Sequence, residues 1–127
     1  MLSEVNTYLT ANSITSIFLN YEPADTVNCT MLFQYAGSPP EGEGVMRLPR
    51  LQVRVRNASD ATAETTITTI YNLLAKKSGG LLESQGLRAT PQQAPFHFGR
   101  ADANEVNQYS EWVCNFEVRE PSTAHEV

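Results

Sequence analysis

In the stretch RLQVRVRNASD, Arg50 to Asp60, three arginines share one phase: Arg50, Arg54 and Arg56, with Gln52 between the first two. Leu51, Val53 and Val55 fill the other phase, so a strand here divides an apolar face from a guanidinium face. Guanidinium groups grip carboxylates or phosphates through paired N–H donors and stack on aromatic rings. Glu117, in a strand-like segment near the end of the chain, is the natural cross-strand partner. Glu41 and Glu43, in the acidic loop upstream, are further candidates, and Arg47 adds another guanidinium beside that loop. Two readings stay open at this point. The arginines line a solvated face and pair with carboxylates of their own sheet, or they belong to a surface that another subunit covers.

Other reactive residue types do not assemble into a site. His97 lies between Phe96 and Phe98, and His125 lies seven residues or fewer from the end, neither at HxH or HxxxH spacing with a second ligand. An ordinary strand or loop histidine is the commoner situation for His97. A small ligand-binding or hydrolytic domain built on His97 and the Phe96/Phe98 pair is the alternative from another functional class, and it requires an apolar pocket beside that histidine. No GxSxG, P-loop, GxGxxG or HExxH motif occurs. The expectation is therefore no catalytic residue, no metal and no cofactor. Cys29 and Cys114 sit in strand-like alternation and read as small buried hydrophobes, with a disulfide between neighbouring strands as the lesser alternative.

The elements that position these residues follow from periodicity. Leu2, Val5, Tyr8 and Leu9 recur at helical spacing over residues 2–11. ITSIFLNYEP looks extended up to Pro23. In TVNCTMLFQYAG, Val27, Cys29, Met31, Phe33 and Tyr35 share a face that the alternation assigns to the core; apart from Leu32, the other face is Thr26, Asn28, Thr30 and Gln34. Residues 37–47 hold the Pro/Gly-rich segment GSPPEGEG and read as an exposed loop. After the arginine strand, Asn57, Ser59 and Asp60 offer helix caps. Ala63, Ile67, Ile70, Tyr71 and Leu74 form a helical stripe that Lys76, Lys77 and SGG should close. A turn-rich region with short extended pieces leads to QYSEWVCNFEVRE, where Trp112, Cys114, Phe116 and Val118 alternate with Val113, Asn115, Glu117 and Arg119. The tail, residues 121–127, should fray. The order predicts one α+β domain over residues 1–127, a mainly antiparallel or mixed sheet with helices packed on one face. Its second face is left wet or covered by another protein.

Bulk properties narrow the partners. The chain has 127 residues and a formal charge of −5, which argues against nucleic acid or an anionic membrane as its main partner. No run of eighteen apolar residues is present, and the polar N-terminus with Glu4 is unlike a secretory signal, so work in the cytoplasm of the cell that makes it is expected.

Taken in order, the short N-terminal helix, YEPADTVNCTMLFQYAG before a Pro/Gly loop, LQVRVRNASDATAETTITTIYNLL, and PFHFGRADANEVNQYSEWVCNFEV resemble the tail-terminator, or tail-completion, proteins of long-tailed bacteriophages, sometimes called minor capsid proteins. The strand ending at Arg56 directly before the helix is the most specific part. The resemblance implies assembly rather than catalysis: a compact α+β subunit that forms a homo-hexameric ring on the tail tube protein, stops tube growth and offers a surface to the head connector. DNA would only pass through the channel, and the protein would reside at the tail–head junction of the virion after assembly in the host cytoplasm. A head-side connector adaptor, expected as a twelve-fold ring, is the structural alternative. In such a terminator ring the face of Arg50, Arg54 and Arg56 is expected to form half of a heterologous contact, with Arg47, Glu41, Glu43 and Glu117 among the charged groups involved; the family pattern itself does not assign these residues.

Overall fold

The N-terminal helix α1 (Leu2–Ala11) buries Leu2, Val5, Tyr8 and Leu9, the four positions its periodicity singles out. It ends in a Schellman turn: the Ile14 amide donates to the Leu9 carbonyl and the Ser13 amide to the Thr10 carbonyl. Ser13 takes φ 70° there, a left-handed conformation usually left to glycine. Burial of both Leu9 and Ile14 supplies the apolar contact that holds the motif. The extended stretch expected up to Pro23 is shorter than its composition suggested. Strand β1 spans only Ile17–Leu19, because Ser16 and Asn20 on either side also have positive φ.

The computed structural model describes residues 2–23, 26–38, 46–75, 88–102 and 108–121. After β1 come β2 (Cys29–Ser38), β3 (Met46–Asn57), α2 (Asp60–Ala75), β4 (Arg88–Pro91), β5 (Phe96–Asp102) and β6 (Gln108–Pro121). They form one mixed sheet in the order β1-β2-β3-β6-β4, with β5 also paired to β6. β1 runs parallel to β2 and every other pairing is antiparallel. Together with the two helices this is the α+β architecture that the sequence predicts. Most of the 37–47 loop, Lys76, Lys77, the following glycines and the tail beyond Pro121 lie outside the described residues.

Helix α2 begins where the capping residues predict. The Ser59 hydroxyl accepts from the Thr62 amide, and the Asn57 side-chain carbonyl accepts from the Ser59 amide. Ala63, Ile67, Ile70 and Leu74 turn inward against Leu51, Val53 and Val55 of β3 and Cys114, Phe116 and Val118 of β6. Burying each Ile or Leu side chain contributes about 1.5–3 kcal/mol, which offsets the weak helix propensity of the threonines in α2. Helix α1 packs on the same face, and the Tyr8 hydroxyl donates to the Leu73 carbonyl of α2.

One strand is turned over relative to expectation. On β2 the residue that joins the helix-covered core is Leu32, not the Cys29/Met31/Phe33/Tyr35 set. Register explains it: Leu32 lies opposite Val53, a core residue, whereas Met31 lies opposite Arg54 and Cys29 opposite Arg56. In an antiparallel sheet directly opposed residues share a face. The apolar phase of β2 therefore shares the face of the arginines.

Candidate functional site

The helix-free face of the sheet is built from three central strands. β2 contributes Cys29, Met31, Phe33 and Tyr35; β3 contributes Arg50, Gln52, Arg54 and Arg56; β6 contributes Tyr109, Glu111, Val113, Asn115 and Glu117. Two edge features complete it. In β5 the register shifts between His97 and Gly99, leaving Phe98 without a partner on β6. Gly99, with φ 151°, tolerates the backbone of this bulge, and Phe98 is carried over Arg54. The segment after β1 crosses the other end, where the Pro23 carbonyl accepts from Arg56 Nη1 at 2.9 Å.

Beneath the surface lies a closed charge network. Arg56 is 4% exposed and Glu111 5%. Arg56 Nε donates to Glu111 Oε1 at 3.2 Å, Arg56 Nη2 donates to Glu22 Oε1, and the guanidinium lies 4.6 Å from the centre of the Tyr109 ring. Burial works against the charge on Arg56, but the bond to Glu111, with Tyr109 and Glu22 nearby, outweighs it and holds the pKa above its ordinary value. Arg54 forms the next link: Nη1 sits 3.7 Å from Glu111 Oε2, and Nε donates to Gln52 Oε1, whose amide donates in turn to Asn115. The Arg54 guanidinium is 5.3 Å from the Phe33 ring and 5.5 Å from the Phe98 ring, held between two aromatics while 27% of its side chain stays exposed. Cys29 borders this network; burial pushes its thiol up, with Arg56 pulling the other way.

The outermost layer is aromatic. Phe98 is 61% exposed, Tyr21 57% and Tyr35 39%, the three largest exposures among the large hydrophobic side chains described. Met31 and Val113 beneath them are fully buried although neither α1 nor α2 covers this side. Aromatic rings, an arginine held in place and a methionine are the residue types enriched where proteins meet proteins.

The predicted site residues separate into three groups. Arg50, Arg54 and Arg56 do line one face, but Arg56 is spent on carboxylates of its own chain. Glu117 sits opposite Arg50 in register, yet the acidic partner of the buried network is Glu111. Arg47 lies opposite Glu120 on β3 and β6, and Glu41 and Glu43 fall outside the described residues. Glu111 was legible, since it keeps the phase of Asn115 and Glu117. Glu22 was not, because the irregular segment that carries it has no period to read.

A second polar cluster caps the opposite side of the sheet. His97 Nε2 lies 2.9 Å from the Ser110 hydroxyl, which donates to Asp60 Oδ1 at 2.5 Å, and Trp112 Nε1 donates to the same oxygen at 3.0 Å. The residue types are those of a hydrolase triad, but the wiring is not. A triad needs the carboxylate on the histidine nitrogen away from the serine, so that the serine proton can leave through the ring. Here Asp60 takes the serine proton directly, and His97 meets both groups through one nitrogen, with Asp60 at 3.5 Å. The arrangement ties the start of α2 to β5 and β6. A cavity of about 230 Å³, bounded by Ser13, Ser16, Asn28, Thr30 and Thr66, does not touch His97. No three His, Cys, Asp or Glu residues among those described converge as a metal would require.

A family model for the bacteriophage tail terminator protein matches residues 5–119, nearly the whole chain. The chain belongs to the bacteriophage tail terminator family. No curated protein matches it closely enough to be counted a relative. As a tail terminator it is a structural component of the virion, and a buried charge network beneath an exposed aromatic layer is an arrangement suited to assembly. No helix among the terminator's described residues is long and apolar enough to cross a membrane.

Proposed function

We propose that this terminator assembles head to tail into a homo-hexameric ring that caps the tail tube, ends tube growth and gives the head connector its docking surface. The observation that carries this reading is the helix-free face: Phe98, Tyr35 and Tyr21 stand exposed over an arginine network that is already ordered in the single subunit. Fixing Arg54 between two rings before association removes much of the side-chain entropy that binding would otherwise cost. In this reading Arg50 and Arg54 offer donors to a neighbour, and Arg56 with Glu111 forms the floor that keeps them in place. Glu117 tunes Arg50 from across the strand pair. Glu41 and Glu43, in the segment between β2 and β3, meet the tube or the connector, and Arg47 at the start of β3 adds a guanidinium beside them. A chain with a formal charge of −5 also lines a channel that DNA traverses without binding, since it withholds the cations phosphates seek. Assembly takes place in the host cytoplasm, and the ring remains at the tail–head junction.

Native mass across protein concentration, with particle images in the presence and absence of tail tubes, tests this. Six-fold rings seated on tube ends are the expected result. Twelve-fold rings indifferent to tubes would replace the reading with a head-side adaptor, and a monomer that leaves tubes growing would remove it.

A further inference from the structure

The outer side of α2 is as unlike an ordinary solvated surface as the aromatic face. Thr62, Thr65, Thr68, Thr69 and Asn72 are all exposed there. The charges of the helix are Asp60 and Glu64, both near its start, and it holds no basic residue. Solvated helix faces are normally rich in charged side chains, and threonine forms helix less readily than Glu, Lys or Ala. Local stability therefore gives no reason for this choice. Two of the threonines also turn their hydroxyls away from solvent: Thr65 Oγ1 donates to the Ala61 carbonyl and Thr69 Oγ1 to the Thr65 carbonyl, each at 2.9 Å. Their γ-methyl groups are left to form the surface. The result is a smooth ridge, inexpensive to dehydrate and acidic at one end.

The sheet separates this ridge from the aromatic face, because α2 packs on the side opposite Phe33, Arg54 and Phe98. One surface is aromatic and offers guanidinium donors; the other bears methyl groups and carboxylates. Two different, complementary patches on opposite sides of one subunit suit a heterologous contact, which repeats from copy to copy and closes into a ring. We infer that the partner of the helix-free face is the outer side of α2 of the next copy of this chain. Glu64 then approaches Arg50 and Arg54 of the neighbour, and Phe98 and Tyr35 pack on the threonine methyls. This assignment rests on the ring reading above and names the other half of its contact.

The test is a double substitution, Thr65→Lys with Thr69→Lys, assembled on tail tubes. Lysine is the better helix former and both sites are exposed, so the subunit keeps its circular dichroism and unfolding midpoint. Ring formation should weaken by tenfold or more, and Thr65→Glu with Thr69→Glu should weaken it less, because the new charges meet arginines. A 1:1 mixture of the lysine variant with Phe98→Ser retains one competent contact per pair and should stop at dimers. Normal rings from the lysine variant, or no heterodimer in the mixture, would overturn the assignment of α2 while leaving the ring reading intact. A wild-type protein that forms no ring even on tubes would overturn the ring reading itself.

Discussion

The two faces of this sheet are made by the same strands and obey opposite rules. The helix-covered face is apolar: Leu51, Val53 and Val55 of β3 meet Cys114, Phe116 and Val118 of β6 under α1 and α2. The helix-free face holds a methionine, a thiol, three arginines and facing carboxylates under a layer of rings. Apolar packing tolerates small errors of direction, whereas each bond between Arg56 and Glu111 requires both partners at a set distance and angle. The first face keeps the subunit folded. The second fixes the orientation of groups that neither of the described helices covers, which is what an assembly surface needs.

Removing bulk from the first face should have the largest effect. Phe116→Ala is expected to cost about 3–5 kcal/mol, a large share of the stability of a small domain, read as a fall in denaturant midpoint. Breaking the network on the second face should cost nearly as much for a different reason. Arg56→Met strands Glu111 in a buried position, and the expected loss is about 3 kcal/mol, at the lower end for such pairs because Arg54 remains as a partial counterion. Adding Glu111→Leu should restore most of it, as apolar replacement never could at Phe116. If the double variant is no more stable than the single one, the two faces do not differ in the way described.

The cysteines give a subtler comparison, one on each face. Burial pushes the Cys114 thiol up to about 12, and it pushes Cys29 up as well, where Arg56 opposes the shift. A folded-state pKa above the unfolded one means that stability is intact below the unfolded value, near pH 9, and falls as pH rises towards the folded one. For Cys114 the slope is at most about 1.4 kcal/mol per pH unit between roughly pH 9 and 12. Thermal unfolding across that window should show a shallower alkaline loss in Cys114→Ala than in wild type, with a smaller relief in Cys29→Ala. Equal relief in both would mean that Arg56 does not act on Cys29. Least of all should Phe98→Ser change stability, by about 0.5 kcal/mol, since an exposed ring contributes little to folding.

Much of this was legible in the chain. Both helices announced themselves because a 3.6-residue stripe has one solution, and the β3 and β6 alternation placed their core faces correctly. Strand β2 did not, since its apolar phase faces away from the helices and only pairing with β3 decides which phase meets them. The larger set, Cys29 to Tyr35, pointed away from the core because the helix-free face has its own need for apolar and aromatic side chains. Leu32, the exception within a polar phase, was the residue that mattered. Of the candidate caps, Ser59 takes the Thr62 amide, whereas the Asp60 carboxylate accepts from Ser110 and Trp112, contacts across fifty residues that leave no local signature. The arginines were recognised as a set, while the difference between buried Arg56 and half-open Arg54 depends on a crossing segment that sequence pattern does not place.

The most direct test of the helix-free face as the assembly surface is a capping titration with the Tyr35→Ser/Phe98→Ser variant against wild type. Tube length and ring occupancy at tube ends are measured by imaging, and unfolding midpoints are measured in parallel. Unfolding free energies within about 0.5–1 kcal/mol of each other are expected, as for exposed positions, with rings and tube capping lost in the variant. A variant that is equally stable and caps tubes at the wild-type concentration would contradict it.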